Sequence, residues 1–151
     1  MTSTLTPLSI RSRIRGVCSV AALVAWTLFV WVGRIRNIAA DEVLSGWDRV
    51  VRLSMAWSFV GLAVVVTVMA VRQLRSPERR RANDPWLPGL DRSATILAVY
   101  GIVVWAFRGI DIALGAYNFA FIAVHVALAV VTITLGVWVL RTARSNRLTE
   151  G

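Results

Sequence analysis

The chain has 151 residues, enough for one domain, and 57% of them are apolar, more than a soluble fold of this size can bury. Its net charge of +9 comes from 17 basic residues, all arginine, placed between and beside long apolar runs. Aromatic and basic residues do not alternate on a polar surface, so the charge argues for lipid headgroups and against nucleic acid.

Residues 1–15 form a basic tail ending in Arg11, Arg13 and Arg15. The next stretch, 16–33, carries no charge and spans about 27 Å as a helix, close to the hydrocarbon thickness. It is too long for the apolar part of a signal peptide, and Arg34 and Arg36 follow at once. Cys18 lies within it as the lone cysteine, which excludes an intrachain disulfide and reads as a small apolar residue.

Ser45-Gly46-Trp47-Asp48 reads as a capping box opening the second helix, whose charge-free part is 53–71. Between Arg72 and Arg92, Pro77, Pro85 and Pro88 forbid one continuous helix. The Arg79–Arg81 run there reads as an orientation signal and lipid contact, and Trp86 as a headgroup-layer residue. Asp91 or Ser93 is a candidate cap for the third span, about 92–110. Gly115-Ala116-Tyr117-Asn118 reads as a tight turn, with Asn118 capping the fourth span, about 118–140. Residues 142–151 form a short C-terminal tail.

The expected fold is all-α: an integral membrane four-helix up-down bundle covering 16–141. The N-tail, middle loop and C-tail hold three, six and three arginines, and the first and third loops hold four and one, so both termini are expected in the cytoplasm. Arginine without lysine, with abundant Ala, Val and Gly, fits a GC-rich bacterial genome and hence the bacterial plasma membrane. Stripes of small residues are expected to face inward: Cys18/Ala22/Ala25, Ser54/Ser58/Gly61, Ala94/Ala98/Gly101 and Ala129/Thr132/Gly136.

Polar residues at membrane depth are the functional candidates. Arg108 lies 16 residues past Arg92, and His125 lies 16 residues before Arg141, which places both about 24 Å above the inner boundary at ~1.5 Å per residue. Asp111 is one turn from Arg108, at ion-pair spacing. Asn118 shares a face with His125, and Arg34, Arg36, Asp41, Asp48 and Arg52 gather near the same surface. The resulting candidate site is an outer-leaflet polar layer of Arg108, Asp111, His125, Asn118, Arg34 and Asp41. In it Arg108 would hold an anion, while His125 would hydrogen-bond or carry a proton. The plainer reading pairs Arg108 with Asp111 or lets it snorkel, and gives His125 one interhelical hydrogen bond.

One histidine, one cysteine and no deep carboxylate cannot close a zinc site, and a bis-histidine haem would need a second chain. No nucleophile has a base at hydrolase spacing, and no glycine loop suits a phosphate. The expectation is therefore a non-enzyme with no cofactor.

Trp31-Val32-Gly33-Arg34-Ile35-Arg36-Asn37-Ile38, with Asp41-Glu42 and Leu44-Ser45-Gly46, resembles the first loop of small four-span membrane proteins of actinobacteria. Val104-Trp105-Ala106-Phe107-Arg108-Gly109 and Phe121-Ile122-Ala123-Val124-His125 resemble their third and fourth helices, a likeness covering roughly residues 20–140. The resemblance implies a fold and carries no activity or site roles. Small multidrug transporters need a glutamate in the first helix, and quinone reductases of the vitamin K type need paired cysteines; both are missing here.

Two functions follow as expectations. The first is a non-enzymatic partner, accessory subunit or envelope component that meets the bilayer and another membrane protein or a second copy of itself. The second is a small transporter, channel or lipid-binding protein using the Arg108–His125 layer.

Overall fold

A computed structural model describes residues 7–75 and 88–148. Four helices account for nearly all of them: α1 Pro7–Ala40, α2 Gly46–Arg75, α3 Pro88–Leu114 and α4 Phe119–Leu148. All four contain segments long and apolar enough to cross a membrane, Ile14–Ala40, Gly46–Arg75, Leu90–Leu114 and Phe119–Arg144. By length and composition these are the helices of a multi-pass membrane protein.

The helices run past the charge-free stretches. α1 continues through Arg34 and Arg36, and α4 through Arg141 and Arg144. Arginine is a good helix former, so charge ends an apolar run without ending the helix. Pro77, Pro85, the Arg79–Arg81 run and Trp86 lie outside the described residues.

Local chemistry sets the connections. Asp41 Oδ1 accepts from Val43 N at 3.1 Å just beyond α1. Ser45 caps α2 as expected: its Oγ accepts from Asp48 N at 3.4 Å and donates to Asp48 Oδ2 at 3.0 Å. Neither Asp91 nor Ser93 caps α3. That helix already begins at Pro88, whose missing N–H costs nothing at a first helical position, and Ser93 Oγ instead donates to Leu90 O at 3.1 Å. Asn118 caps α4, with Oδ1 accepting from Phe121 N at 2.8 Å. At Gly115 in the α3–α4 turn a Cβ would meet the Tyr117 ring and, at 3.1 Å, Asp111 O, so glycine lets the Tyr117 ring sit closely over the turn.

Packing is cyclic: α1 on α2, α2 on α3, α3 on α4, and α4 back on α1. The interior is lined by Leu23, Trp31, Ala56, Phe59, Ala63, Val66, Leu97, Ala98 and Val139. Two modes of contact build it. On the first three helices Trp31, Phe59 and Tyr100 stack in series, with ring centroids 4.1 and 4.3 Å apart. Between α3 and α4 the backbones close in. A Cβ at Gly101 would meet Thr132 Cγ2 at 3.3 Å, and one at Gly136 would meet Ile102 Cδ1 at 3.1 Å.

The small-residue stripes are therefore inward on only half the helices. Ala94, Ala98 and Gly101 of α3 are buried, and Thr132 and Gly136 are buried on α4. On α1, Cys18 and Ala25 are exposed, and the buried seam is Ser19, Leu23, Thr27 and Trp31. On α2, Ser54, Ser58 and Gly61 are exposed, and the seam is Ala56, Phe59, Ala63 and Val66. On these helices the aromatic stack takes part of the seam with large rings, beside the fully buried Ala56 and Ala63.

Candidate functional site

The polar layer forms at the end of the bundle that carries the α1–α2 and α3–α4 turns. Arg34 is in the closing turns of α1, Arg52 in the opening turns of α2, Arg108 in the closing turns of α3, and His125 in the opening turns of α4. The expectation that Arg108 and His125 share a layer agrees with this placement, but the two do not touch. The Phe121 ring stands between them, 3.9 Å from the His125 ring by centroid and 5.9 Å from Arg108 Cζ.

Arg108 forms an ion pair with Asp111, its i+3 neighbour, at a side chain 28% exposed. Part-exposure and short spacing make this a modest pair. His125 makes no interhelical hydrogen bond. Its Nδ1 donates to Phe121 O at 2.8 Å, because a carbonyl can only accept. Around it runs an aromatic column: Tyr117 on Phe121 at 4.5 Å, Phe121 on His125, and His125 beside Trp105 at 6.4 Å.

Asn118 and Asp41 take structural parts. Asn118 uses its amide oxygen as the α4 cap. Asp41 uses its carboxylate on Val43 N, and its carbonyl accepts from the Arg49 guanidinium. Arg34 behaves differently. It is half-buried, lies with Cζ 5.7 Å from the Trp31 ring centroid, and faces the positive charges of Arg108 and Arg52.

Arg52 was only a neighbour in the sequence reading, and the structure moves it into the cluster. A signal was present. Trp31-x-x-Arg34-x-x-x-Ile38 on α1 has the same spacing as Trp105-x-x-Arg108-x-x-x-Ile112 on α3. Positions i, i+3 and i+7 share one helical face. All four flanking residues are buried, at 4%, 6%, 4% and 5% exposure, which fixes both arginines on the inward seam. Arg52 is exposed, one turn from buried Ala56 and two from buried Phe59 on α2.

Three buried donors in this region have no acceptor: Trp105 Nε1, Arg108 Nε and Arg49 Nε. Among the described residues no three His, Cys, Asp or Glu side chains gather as metal ligands would. The chemistry on offer is thus cationic and hydrogen-bond donating.

Comparison with protein-family models, with curated proteins and with solved structures returns no match.

Proposed function

We propose that this chain is a four-span integral protein of the bacterial plasma membrane that works without catalysis, as a partner subunit or envelope component, with both termini in the cytoplasm. The observation that carries the reading is the filling of the interior. The Trp31–Phe59–Tyr100 stack occupies it at mid-depth, and the Gly101 and Gly136 contacts shut α3 against α4. The buried hydroxyls of Ser19, Thr27, Ser93 and Thr132 each donate to a carbonyl of their own helix, so they do not form a row of free polar groups for water or a solute. The outward faces are large and apolar, as at Phe29, Trp57 and Val130, which suits lipid or a partner helix. The arginine asymmetry supports cytoplasmic termini. The likeness to small four-span actinobacterial proteins points the same way.

Cysteine accessibility in a Cys18→Ala background tests this. Ala129→Cys should stay unlabelled by a membrane-impermeant maleimide in sealed membranes, whereas labelling would mean an aqueous path and a transporter or channel. Val43→Cys should label from outside intact cells, and Glu150→Cys only after lysis. Crosslinking in native membranes should capture a second membrane protein or a homo-oligomer. A clean monomer with nothing captured would overturn the partner role.

A further inference from the structure

The inward seams of α1 and α3 change from apolar to arginine in one layer, at Arg34 and Arg108, and α2 brings the exposed Arg52 to the same end of the bundle. Trp31 and Trp105 lie on the interior side of that layer, and Ile38 and Ile112 beyond it, all buried. Arg34 lies within electrostatic reach of both Arg108 and Arg52. Like charges gathered around a half-buried arginine such as Arg34 are unfavourable unless something offsets them. Asp111 offsets Arg108, and neither Arg34 nor Arg52 has an acidic partner among the described residues.

A second observation is independent of charge. Trp105 Nε1 and Arg108 Nε are buried N–H donors without an acceptor, one turn apart on the same face of α3. An unsatisfied buried donor costs roughly 1–3 kcal/mol, so a bundle that kept two beside a cationic cluster would be doubly strained without an acceptor to meet them. One multi-oxygen anion relieves both problems.

We propose that Arg34, Arg52 and Arg108 together bind a single phosphate-class anion, with Arg108 Nε as a further donor. Guanidinium forks match phosphate oxygens two at a time, which a carboxylate-sized anion shared by three arginines would not fully use. The surrounding surface makes a phospholipid headgroup the favoured source. Trp47, Phe107, Leu114 and Phe119, near the same end of the bundle, are 76%, 71%, 84% and 85% exposed, a collar suited to acyl chains and the headgroup boundary. Free inorganic phosphate has the same chemistry and is the other source. The site does not depend on the partner role above, because that role rests on the filled interior and the site on the arginines at the turn end of the bundle.

The test is thermal unfolding of the full-length protein in neutral detergent, with phosphatidylglycerol, phosphatidylcholine, or sodium phosphate against sodium chloride at equal ionic strength. Phosphatidylglycerol should raise the wild-type Tm well beyond phosphatidylcholine, whose quaternary ammonium offsets the charge of its phosphate beside a cationic cluster. Arg34→Gln and Arg52→Gln should lose most of that rise, and exposed Arg36→Gln should keep it. In phosphatidylcholine alone the two Gln variants should melt at or above wild type, since one of three repelling charges is gone. Arg34→Lys, which keeps charge and fold, should retain only part of the rise. A wild-type shift with sodium phosphate but none with phosphatidylglycerol assigns the soluble anion as the source. Equal shifts in wild type and both Gln variants, or no shift of wild type with either phosphate source, would overturn the site.

Discussion

Trp26 on α1 donates its indole N–H to Thr132 Oγ1 on α4 across 2.9 Å, and the Thr132 hydroxyl in turn donates to Leu128 O at 2.8 Å. This bond ties the first helix to the last and closes the cycle of contacts. Ser19 Oγ lies 3.2 Å from Thr142 Oγ1 on the same pair of helices nearer their other end, so α1 and α4 are joined at two levels. Between α2 and α3, Ser58 Oγ lies 2.9 Å from Tyr100 Oη.

Breaking the Trp26–Thr132 bond should therefore loosen α4 from α1. Thr132→Val keeps the shape, leaves the indole N–H unpaired, and should cost about 1 kcal/mol, near the usual value for interhelical bonds in lipid. Trp26→Phe in the same background should cost less than it does alone. Equilibrium unfolding in mixed micelles gives the cycle; strictly additive effects would mean the bond contributes nothing.

Glycine 136 and glycine 61 make opposite predictions. A Cβ at Gly136 would meet Ile102 Cδ1 and Cγ1 at 3.1 Å and Ala98 O at 3.3 Å, while one at Gly61 meets nothing within 4 Å. Gly136→Val should cost about 1–3 kcal/mol by forcing α3 and α4 apart. Gly61→Ala should be neutral or stabilise by up to about 1 kcal/mol through helix propensity alone. Unfolding midpoints of the two variants check this, and a harmful Gly61→Ala would reveal a docked helix on that exposed face.

Asn118 is a cap, and its variants should behave as cap variants do. Asn118→Ala should lower stability by about 1 kcal/mol and speed amide exchange in the first turn of α4, while Asn118→Asp should restore both. If Asn118→Asp instead abolished the anion response with stability intact, the residue would belong to the binding layer.

Much of this architecture is legible in the residues alone. Four apolar stretches of spanning length, the Ser45 and Asn118 caps and the Gly115 turn all follow from local chemistry, which acts within a few positions of its source. The shared level of Arg108 and His125 follows from counting residues along two helices joined by a short turn. The inward faces of α3 and α4 were readable because close approach demands small side chains there, at Gly101 and Gly136.

The rotation of α1 and α2 was settled only by the tertiary structure. A helix apolar on every side has no polar face to mark its outside, so periodicity carries little information about its phase. Stacking of Trp31 on Phe59 and of Phe59 on Tyr100 chose that phase, turning Ser54 and Gly61 outward. The same rotation brought Arg52 within electrostatic reach of Arg34, a relation between two helices that no local rule encodes.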